Sequence, residues 1–509
     1  WFVDMKKFMA DHPEVLDNVM NDEIKFHPAK FKNTYRHWLE NIKDWCISRQ
    51  LWWGHRIPAW YTPSGEVIVA KTADEAIEKL GDSTLKAKDL KQDEDVFDTW
   101  FSSWLWPISV FNGFKEEGQE ELAYYYPTSD LVTAPDIILF WVARMVMAGY
   151  GFKGEKPFSN VYFTGIVRDK QRRKMSKSLG NSPDPLELMD TYGTDGVRMG
   201  LMLSAPAGND LLFDEALCEQ GRNFCNKLWN SFRLVKGWEI SNTREEYFIK
   251  YGDLAHQWMR NRLSKAIEKV DSYFENFRIS DALMELYKLT RDDFSGWYLE
   301  MVKPNYGDPI AQQDLSQVLS IFDELLRLLH PYMPFITEEL WQNLGTVENQ
   351  FINQQEWPKA SSINTSIDDG VFKLISEVRA KRNENGISPK MEAAVGIKGE
   401  RYSTYESAKG IIHKLANVSS LENWLNNEGF KTLVGTDEVS IWFKDYEKKV
   451  DTDAIEKEMK RLEGFLIGID KKLGNEKFMA NAKPEIIERE KQKRADTLSK
   501  LESLKQQLS

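Results

Sequence analysis

The segment best suited to chemistry is a basic loop, residues 174–178, with the sequence KMSKS. Lys174 and Lys177 are separated by three positions in a Ser- and Gly-containing stretch that directly follows a hydrophobic strand, SNVYFTGIVRD. Preorganised ammonium groups can neutralise the charge that grows on phosphate oxygens in a transition state. A mobile loop can deliver that charge only when substrate is bound. The pattern therefore predicts a site for a polyanion that must be held and released, and the competing interpretation is a solvated basic loop.

A second candidate is Asp136, in the segment TAPDI at the predicted C-terminal end of a strand. A carboxylate in that position can accept hydrogen bonds from ribose hydroxyls, because nucleotides bind outside the carboxyl ends of strands in open α/β sheets. The same side chain could instead cap the helix that follows, IILFWVARM. Both interpretations remain open, and one residue can serve both.

These residues need elements to position them. Strands alternate with helices over residues 1–215, which predicts a parallel, doubly wound sheet with a small α/β insertion at 61–95. Over residues 216–365 the apolar residues recur with helical spacing, as in GRNFCNKLWNSFRLV, which predicts an up-and-down helical bundle. Residues 366–446 read as a small α/β module. The predicted fold class is therefore α/β plus all-α.

The tail, residues 447–509, follows a different pattern. Its first half repeats apolar residues with 4-3-4-3-4 spacing, the seam of a coiled coil: Ile455, Met459, Leu462, Leu466, Ile469 and Leu473. Gly474 and Pro484 then break the helix, and a second set of leucines follows at Leu498, Leu501, Leu504 and Leu508. An antiparallel helical coiled-coil hairpin is the most economical interpretation.

Composition narrows the class of protein. The 509 residues include 29% charged and 42% hydrophobic ones, and no stretch approaches the roughly 18–20 continuous apolar residues of a membrane span. The formal charge of −12 means that any nucleic-acid surface must be local. Three cysteines without a CxxC pair argue against a disulfide framework or a cysteine-rich zinc site, which fits a reducing cytoplasm. The chain begins in mid-pattern without Met, so we expect an upstream part.

The KMSKS string is the second signature of class I aminoacyl-tRNA synthetases. Its neighbours, DWCISRQLWWGHRIPAWY, DEDVFDTWFSSWLWP, ILFWVARMVMAGY and RKMSKSLGNSPDPLELMDTYGTDGVR, resemble the valine, isoleucine and leucine branch of that class. The resemblance runs over the whole chain and is greatest to the valyl-tRNA synthetase family. Members of the isoleucine branch usually end in a cysteine-rich zinc module, whereas this chain has no cysteine after Cys225 and ends in a predicted coiled coil.

The resemblance implies roles for the candidate residues. Lys177 would stabilise the α-phosphate and pyrophosphate of ATP during adenylate formation, with Lys174 assisting. Ser176 would touch phosphate or only cap backbone groups. Asp136 matches the ribose-contacting position, although Ala134 stands where the family typically has glycine.

The resemblance also implies a tight apolar pocket for valine. Trp100 (in DTWF) and Trp60 (in PAWY) would wall it, while core packing is the alternative for any single tryptophan. The family's first signature, HIGH, is absent, and residues 54–58 (GHRIP) do not match it. The chain resembles the family from the point just after the editing domain. The resemblance therefore implies that the chain contains the C-terminal half of a Rossmann-like catalytic domain. It also implies that the chain has no editing activity and is inactive alone.

The later regions would bind tRNA. In the bundle, Arg222, Asn226, Trp229 and Arg233 fall on one helical stripe that could meet RNA through phosphate contacts and stacking. Interdomain packing is the alternative. The C-terminal coiled-coil hairpin would contact the tRNA body. The alternative is a solvated pair of helices without a partner.

The predicted function is ATP-dependent attachment of valine to its tRNA through a valyl-adenylate. ATP is a substrate, Mg²⁺ accompanies it through phosphate oxygens, and no protein metal site is expected. The full-length protein is expected to be a cytoplasmic monomer without a membrane partner. The alternatives are a tRNA-docking module without catalysis, and isoleucyl or leucyl specificity.

Overall fold

The structure is a computed structural model. It describes residues 1–509 except 82–83, 206–207, 346–349, 366, 427–428, 445, 447–451, 475–486, 496, 499–500 and 502–509, and it leaves the side chains of residues 177 and 452–458 undescribed. The chain divides into two compact units, Trp1–Asp368 and Asp369–Ser509. The domain boundaries expected near residues 215, 365 and 446 remain predictions.

A three-stranded parallel sheet in the first unit carries the candidate site. Its strands, in spatial order, are Lys25–His27, Phe158–Phe163 and Thr128–Thr133. Phe158, Val161 and Phe163 of the central strand are at most 1% exposed, so this strand lies within the core. The predicted parallel arrangement of this region is confirmed.

The remaining elements of this region are short. Its helices are Met5–Asp11, Glu14–Met20, Phe31–Glu40, Ala73–Leu80, Thr99–Ser103, Trp106–Ser109, Gln119–Tyr125, Arg144–Lys153, Pro185–Tyr192 and Thr194–Leu203. Its two-stranded pairs are Phe2–Val3 with Trp45–Cys46, Ser48–Arg49 with Val96–Phe97, and Val167–Arg168 with Leu211–Leu212. The first two pairs are antiparallel and the third is parallel, so only the third extends the parallel pattern towards the candidate site.

The helix that follows Thr128–Thr133 runs over Pro135–Lys153, with a π-helical stretch at Ile138–Ala143. Its 19 residues and mean hydropathy of 1.2 would suffice for a membrane span by length and composition alone. However, Val142, Met145 and Val146 are fully buried in the core that contains the sheet. The hydropathy of the segment is therefore accounted for by packing within this unit.

A small antiparallel sheet forms the insertion. Strand Ala59–Tyr61 lies between Val67–Val69 and Lys91–Gln92. Thr72 accepts a hydrogen bond from the amide of Glu75 and so begins helix Ala73–Leu80 as an N-cap.

The second region of this unit is helical, as predicted. Its helices are Glu215–Lys236, Asp253–Glu275, Ile279–Lys288, Leu299–Val302, Gln312–Leu329 and Pro334–Leu344. π-Helical stretches at Phe248–Gly252 and Leu289–Tyr298 adjoin them, and the short strands Ile240–Ser241 and Ile310–Ala311 pair in parallel. Leu263, Leu325 and Trp341 are at most 1% exposed, which shows that the helices share an apolar interior.

A buried polar network crosses this interior. The carboxylate of Asp314, which has no exposed surface, accepts hydrogen bonds from Arg244 (2.6 and 2.9 Å) and from Nε2 of His256 (3.1 Å). Arg244 also pairs with Asp253 at 2.6 Å, and Nδ1 of His256 lies 2.8 Å from the hydroxyl of Tyr298. These hydrogen bonds and ion pairs compensate for taking a carboxylate and a guanidinium out of water.

Two charged side chains join the sheet region to the helical region. Asp195 accepts hydrogen bonds from the amides of residues 335 and 336 (3.4 and 2.6 Å), at the beginning of helix Pro334–Leu344. A carboxylate there is stabilised by the free amides and by the helix dipole. Arg198 donates to the carbonyls of residues 331 and 332, both at 3.1 Å. Burial nevertheless raises the pKa of Asp195 above its usual range.

The second unit contains a four-stranded mixed sheet. Its strands, in spatial order, are Val418–Glu422, Ala393–Lys398, Asp437–Phe443 and Phe430–Val434. The first pair is parallel and the other two are antiparallel. Its helices before residue 450 are Asp369–Glu384, Tyr402–Ser407 and Lys409–Ala416. Val439, Ile441 and Phe443 of strand Asp437–Phe443 are at most 4% exposed and contribute to the core of this unit.

Two arginines of this unit complete the end of a helix. Arg379 donates to the carbonyl of Leu415 at 2.7 and 3.0 Å, and Arg382 donates to the carbonyls of Ala416 and Asn417. These carbonyls end helix Lys409–Ala416 and have no partner within it. The arginines therefore bind main chain of their own unit.

The helix Thr452–Leu473 buries Leu462 and Ile469. A second helical stretch, 487–495, contacts it through ion pairs between Asp470 and Arg494 (2.7 Å) and between Lys472 and Glu490 (3.9 Å). The seam as a whole stays a prediction, because the side chain of Ile455 and both Leu504 and Leu508 lie outside the described residues.

Candidate functional site

The carboxyl edge of the parallel sheet is where its strands end at Thr133 and Phe163. The amide of Thr164 donates to the carbonyl of Thr133 at 2.8 Å, so the two chain segments leave the sheet side by side. Asp136 follows Thr133 by three residues, and the basic loop follows Phe163 by eleven. Open α/β sheets bind ligands at this edge.

The structure brings Lys174 and Asp136 together. Nζ of Lys174 lies 3.4 Å from Oδ2 of Asp136, although the two residues are 38 positions apart. Asp136 stands in a single 3₁₀ turn, Pro135–Ile137, whose preceding residue is Ala134. Both side chains remain substantially exposed, at 67% for Lys174 and 45% for Asp136. The pair is therefore accessible to a ligand that would separate the two charges.

A hairpin turn shapes the start of the basic loop. Residues 168 and 174 form an antiparallel bridge, and Asp169 sits at the turn between them. Its Oδ1 accepts from the amides of Gln171 (3.0 Å) and Arg173 (2.8 Å). This side-chain turn lets Arg172 adopt a φ of +66°, a left-handed conformation that few non-glycine residues adopt.

Asp169 also links the two ends of the loop. Its Oδ2 accepts from Nε of Arg173 at 2.7 Å and from Nδ2 of Asn181 at 3.0 Å. Hydrogen bonding from Asn181, followed by hydrogen bonding and charge from Arg173, lowers the pKa of Asp169 from 3.8 to about 2. The carboxylate is thus ionised at neutral pH and is buried among its donors, with 7% of the residue exposed.

The KMSKS string leads into a 3₁₀ turn, Lys177–Leu179. Oγ of Ser176 accepts from the amide of Leu179 at 3.3 Å and lies 3.1 Å from Oγ of Ser178. Lys177 begins the turn Lys177–Leu179, and its side chain lies outside the described part of the structure. Met175 packs against a separate apolar cluster that includes Leu188 and Phe213, which anchors the loop to the helices after it.

Trp100 lies beside the helix Pro135–Lys153, which carries Asp136 in its first turn. Its ring stacks on Phe140 with centroids 6.0 Å apart, one helical turn beyond Asp136. Its amide donates to Oδ1 of Asp98, which begins helix Thr99–Ser103. The ring is half-buried against the main core. Trp100 is therefore close in the fold to the carboxylate predicted to bind ribose.

Trp60 lies elsewhere. Its indole N–H donates to the carbonyl of Ala70 at 3.0 Å, and its ring packs against the small cluster of Ala70, Ala76 and Leu90 in the insertion. The structure thus assigns Trp60 and Trp100 to different apolar clusters. Their shared role in a valine pocket stays a prediction.

Beneath Trp100 lies a buried arrangement of charges that the sequence did not indicate. Oδ2 of Asp98 accepts from the indole of Trp45 (2.9 Å) and from Arg49 (2.7 Å). The guanidinium of Arg144, in a residue only 8% exposed, lies 3.6 Å from the centre of the Trp45 ring. Burial lowers the pKa of Arg144 from 12.5 to about 10, against the opposing effect of Asp98. This cluster fixes the start of the helix that carries Trp100.

The helical stripe that the sequence predicts to meet RNA is partly occupied by contacts within the protein. Arg222 lies 3.8 Å from Glu219, and its guanidinium lies 5.6 Å from the centre of the Tyr192 ring. Trp229 is 41% exposed and lies beside Phe232. Arg222 thus contacts the preceding region, while Trp229 presents a surface that could stack on a base.

Asp169 and Asn181 are the residues that sequence reasoning missed. The available signal was an aspartate directly after a strand and an asparagine directly after Gly180, one on each side of a basic loop. Such residues commonly build turns, so their types alone do not single them out.

Family comparisons cover most of the chain. Residues 1–214 match the model "tRNA synthetases class I (I, L, M and V)". Residues 256–397 match "Anticodon-binding domain of tRNA ligase", and residues 452–509 match "Valyl tRNA synthetase tRNA binding arm".

Curated relatives align with the whole chain. The valine–tRNA ligase of Phocaeicola vulgatus is 52% identical over all of this chain, which spans 58% of that protein's length. The valine–tRNA ligase of Bacteroides fragilis is 51% identical over the whole chain and 59% of its own length. The valine–tRNA ligase of Chlorobaculum tepidum is 37% identical over 98% of the chain and 58% of its own length.

Two solved structures share the fold. A methionyl-tRNA synthetase of Mycobacterium tuberculosis, bound by methionyl-adenylate, superposes with a TM-score of 0.51 at 18% identity, over 71% of this chain and 67% of that one. The Agrobacterium radiobacter LeuRS, in a ternary complex with tRNA and LeuAMS, gives a TM-score of 0.50 at 18% identity, over 72% and 47%. At such identity the likeness concerns the fold alone.

Proposed function

We propose, from the premise that this chain belongs to the valyl-tRNA synthetase family of class I aminoacyl-tRNA synthetases, that it serves the ATP-dependent attachment of valine to tRNA. The chain spans 58% of the length of the Phocaeicola vulgatus relative. The activity is therefore proposed for a protein of the relatives' full length, to which this chain contributes the KMSKS loop and the tRNA-binding regions.

The observation that carries the proposal is the contact between Lys174 and Asp136 at the carboxyl edge of the parallel sheet. Two residues selected separately for phosphate and for ribose chemistry meet at the edge where such sheets bind nucleotides. A solvated basic loop would not require this partner.

The residues divide the work on ATP. Lys174 and Lys177 would neutralise the charge that moves onto the β-phosphate as the α–β bond breaks, while the carboxylate of valine forms the new bond to the α-phosphorus. Asp136 would accept hydrogen bonds from the ribose, once Lys174 has moved to phosphate. Ser176, which caps the turn in the structure, would hold the loop backbone or touch phosphate.

Magnesium would enter with ATP. Among the described residues, no three His, Cys, Asp or Glu side chains come together as a metal site. Magnesium prefers water and phosphate oxygens to a dedicated protein cage in sites that bind nucleotides. We therefore propose that the phosphates, rather than this chain, supply most of its ligands.

Valine would be selected by an apolar pocket that includes Trp100. Its stacking on Phe140 places an indole one helical turn from Asp136, near the proposed adenylate. Trp60 is the second proposed wall, although in the structure its ring packs within the insertion. Substituting Trp100 by Ala should raise the KM for valine more than the KM for ATP.

The remaining regions would bind tRNA. The helical bundle would bind the anticodon region, with Arg222 and Trp229 as candidates on the stripe of helix Glu215–Lys236. The helix Thr452–Leu473 and its partner would form a coiled-coil arm against the tRNA body, with lysines that add salt-dependent affinity. We propose a cytoplasmic monomer as the working form.

The test is valine-dependent exchange of labelled pyrophosphate into ATP, on a full-length protein that contains this chain and on residues 1–509 alone. We expect exchange in the full-length protein and not in residues 1–509, which contain no HIGH motif. Lys177→Ala should remove most of it, whereas Lys390→Ala, a control lysine on an exposed surface of the other unit, should not.

The other outcomes identify the alternatives. Exchange driven by isoleucine or leucine would reassign the specificity and remove the role of Trp100. Absence of exchange with any amino acid, in a folded full-length protein that still binds tRNA, would leave a docking module without catalysis.

A further inference from the structure

We infer that Asp169 and Asn181, termed here the loop clamp, are positioning residues that fix the KMSKS lysines for adenylate formation. The inference rests on the proposed function and extends it to two residues outside the KMSKS string. Neither side chain needs to touch ATP for this role, because each acts on the backbone that carries the lysines.

The geometry of Asn181 is the first support. Its side-chain oxygen accepts from the amide of Ser176 at 3.0 Å, and its NH₂ donates to the carbonyl of Lys174 at 3.4 Å and to Asp169 at 3.0 Å. One amide group thus holds the backbone on both sides of Met175. Since Lys177 follows Ser176 directly, the same bonds fix where its backbone begins.

The charge of the loop is the second support. Residues 168–177 include six lysines and arginines in ten positions, and like charges at such spacing repel one another. Asp169 is the carboxylate inside this segment, and it accepts four hydrogen bonds, two of them from the backbone of the turn. Without a negative charge at that point, the hairpin would have to hold its cations together against their repulsion.

Carboxylates outside the segment pair with three of its cations. Arg168 pairs with Asp210, and Lys170 lies 3.0 Å from Asp214. Lys174 pairs with Asp136, as described above. Of these carboxylates, Asp136 belongs to the proposed substrate site and Asp210 and Asp214 flank the strand that pairs with the loop's stem. Asp169 alone lies at the turn and contacts Asn181, so it is the one that can set the loop's shape.

The position of the clamp matters because chemistry is sensitive to placement. A displacement of about 1 Å in a positioning element can cost roughly 100-fold in rate. Losing the Asn181 bonds would free the backbone at residues 174 and 176 without removing either lysine. The lysines would then bind phosphate in the ground state but meet the transition state less well, which lowers kcat rather than substrate affinity.

The two chemical steps separate this role from general destabilisation. Adenylate formation moves charge onto the leaving pyrophosphate, on which the KMSKS lysines would act. In the transfer step, a ribose hydroxyl of the tRNA attacks the valyl carbonyl and AMP leaves, after the pyrophosphate has gone. A positioning defect at the clamp should therefore slow the first step and spare the second.

The experiment compares Asn181→Ala and Asp169→Asn with the unaltered full-length protein. Asp184→Ala is the matched control, since it removes an exposed cap of helix Pro185–Tyr192 three residues beyond Asn181. Single-turnover formation of valyl-adenylate and its transfer to tRNA are timed separately, with concentrations taken from active-site titration. We expect the clamp variants to slow adenylate formation by roughly 10- to 100-fold and to leave transfer and the KM for valine as in the control.

A fourth variant tests the electrostatics. Asn181→Asp would place two carboxylates 3 Å apart, a spacing at which both cannot ionise comfortably and one retains a proton. Adenylate formation by this variant should therefore recover as the pH is lowered towards 6, a response that Asn181→Ala should not show.

Each outcome has a clear consequence. Inactivity of the unaltered protein with valine would refute the proposed function itself. An active protein whose clamp variants match Asp184→Ala, or whose clamp variants slow both steps equally, would overturn the inference while leaving the proposed function intact. A selective loss in the first step supports it.

Discussion

Replacing Asp314 with Asn should destabilise the helical region by about 3 kcal/mol. The carboxylate has no exposed surface and accepts two hydrogen bonds from Arg244 and one from His256. An amide of the same shape must turn an NH₂ towards one of these donors, so at least one charge-assisted bond worth about 1.5–3 kcal/mol is lost. Breaking a buried ion pair typically costs about 3–5 kcal/mol, and Asp253 still pairs with Arg244, which places the cost at the lower end.

Hydrogen exchange of the amides in helices Asp253–Glu275 and Gln312–Leu329 is the appropriate assay. A chain with several domains does not unfold in one step, so a single melting temperature would mix their contributions. A loss of about 3 kcal/mol should speed the slowest exchange in these helices roughly 100-fold, and exchange in the parallel sheet should change less.

The control is Asp308→Asn, an exposed acid in the same region, which should shift stability by no more than about 0.5 kcal/mol. If the amides of these helices exchanged at the same rate in the Asp314→Asn and Asp308→Asn variants, the network would contribute little to stability. The reasoning about its burial would then be refuted.

Three further outcomes follow from the structure. Lys174→Ala should lower the kcat of valine-dependent exchange by roughly 100-fold while the KM for valine stays constant, and an equal effect on both would contradict its placement on phosphate. The pKa of Asp169 is lowered from 3.8 to about 2. Its contribution to the stability of the hairpin is therefore fully present above pH 4 and is lost as the pH falls from about 4 to 2. Hydrogen exchange of residues 171–181, corrected for intrinsic rates, should rise in that window. Hydrogen bonding to Ser48 lowers the pKa of the Cys46 thiol, whereas burial raises the pKa values of Cys218 and Cys225, the latter to about 12. An aromatic disulfide reagent at pH 7.5 should therefore label Cys46 first. Equal labelling rates for the three thiols would be inconsistent with this burial.

Much of the fold could be predicted from local pattern. The parallel sheet followed from strands that alternate with helices, and the helical region from apolar residues at helical spacing, because both periodicities reflect which face of an element is buried. The order of the strands did not follow, since Lys25–His27 pairs with Phe158–Phe163, more than a hundred residues away. Such pairing depends on tertiary packing that no local window contains.

The candidate site was predicted unevenly for the same reason. Lys174 and Asp136 were found because each stands in a recognisable local context, but their contact across the sheet edge is a property of the fold. Asn181 was missed because its importance lies in three bonds to backbone and carboxylate groups, which its residue type does not reveal. The sequence favoured Trp100 over Trp60 as a pocket wall, and the structure shows that Trp60 packs in the insertion's small core whereas Trp100 packs beside Phe140.

The hydrogen bonds of Asp195 and Arg198 between the sheet region and the helical region respond differently to substitution on their two sides. In the four hydrogen bonds described above, Asp195 and Arg198 supply side chains from one side, while the other side supplies main-chain groups of residues 331, 332, 335 and 336. Every residue type has a carbonyl, and every type except proline has an amide. Substitutions on the helical side, short of proline at 335 or 336, therefore cannot delete these four bonds directly. A change of side chain can therefore delete these four bonds only at residues 195 and 198, on the side of the proposed site of ATP chemistry.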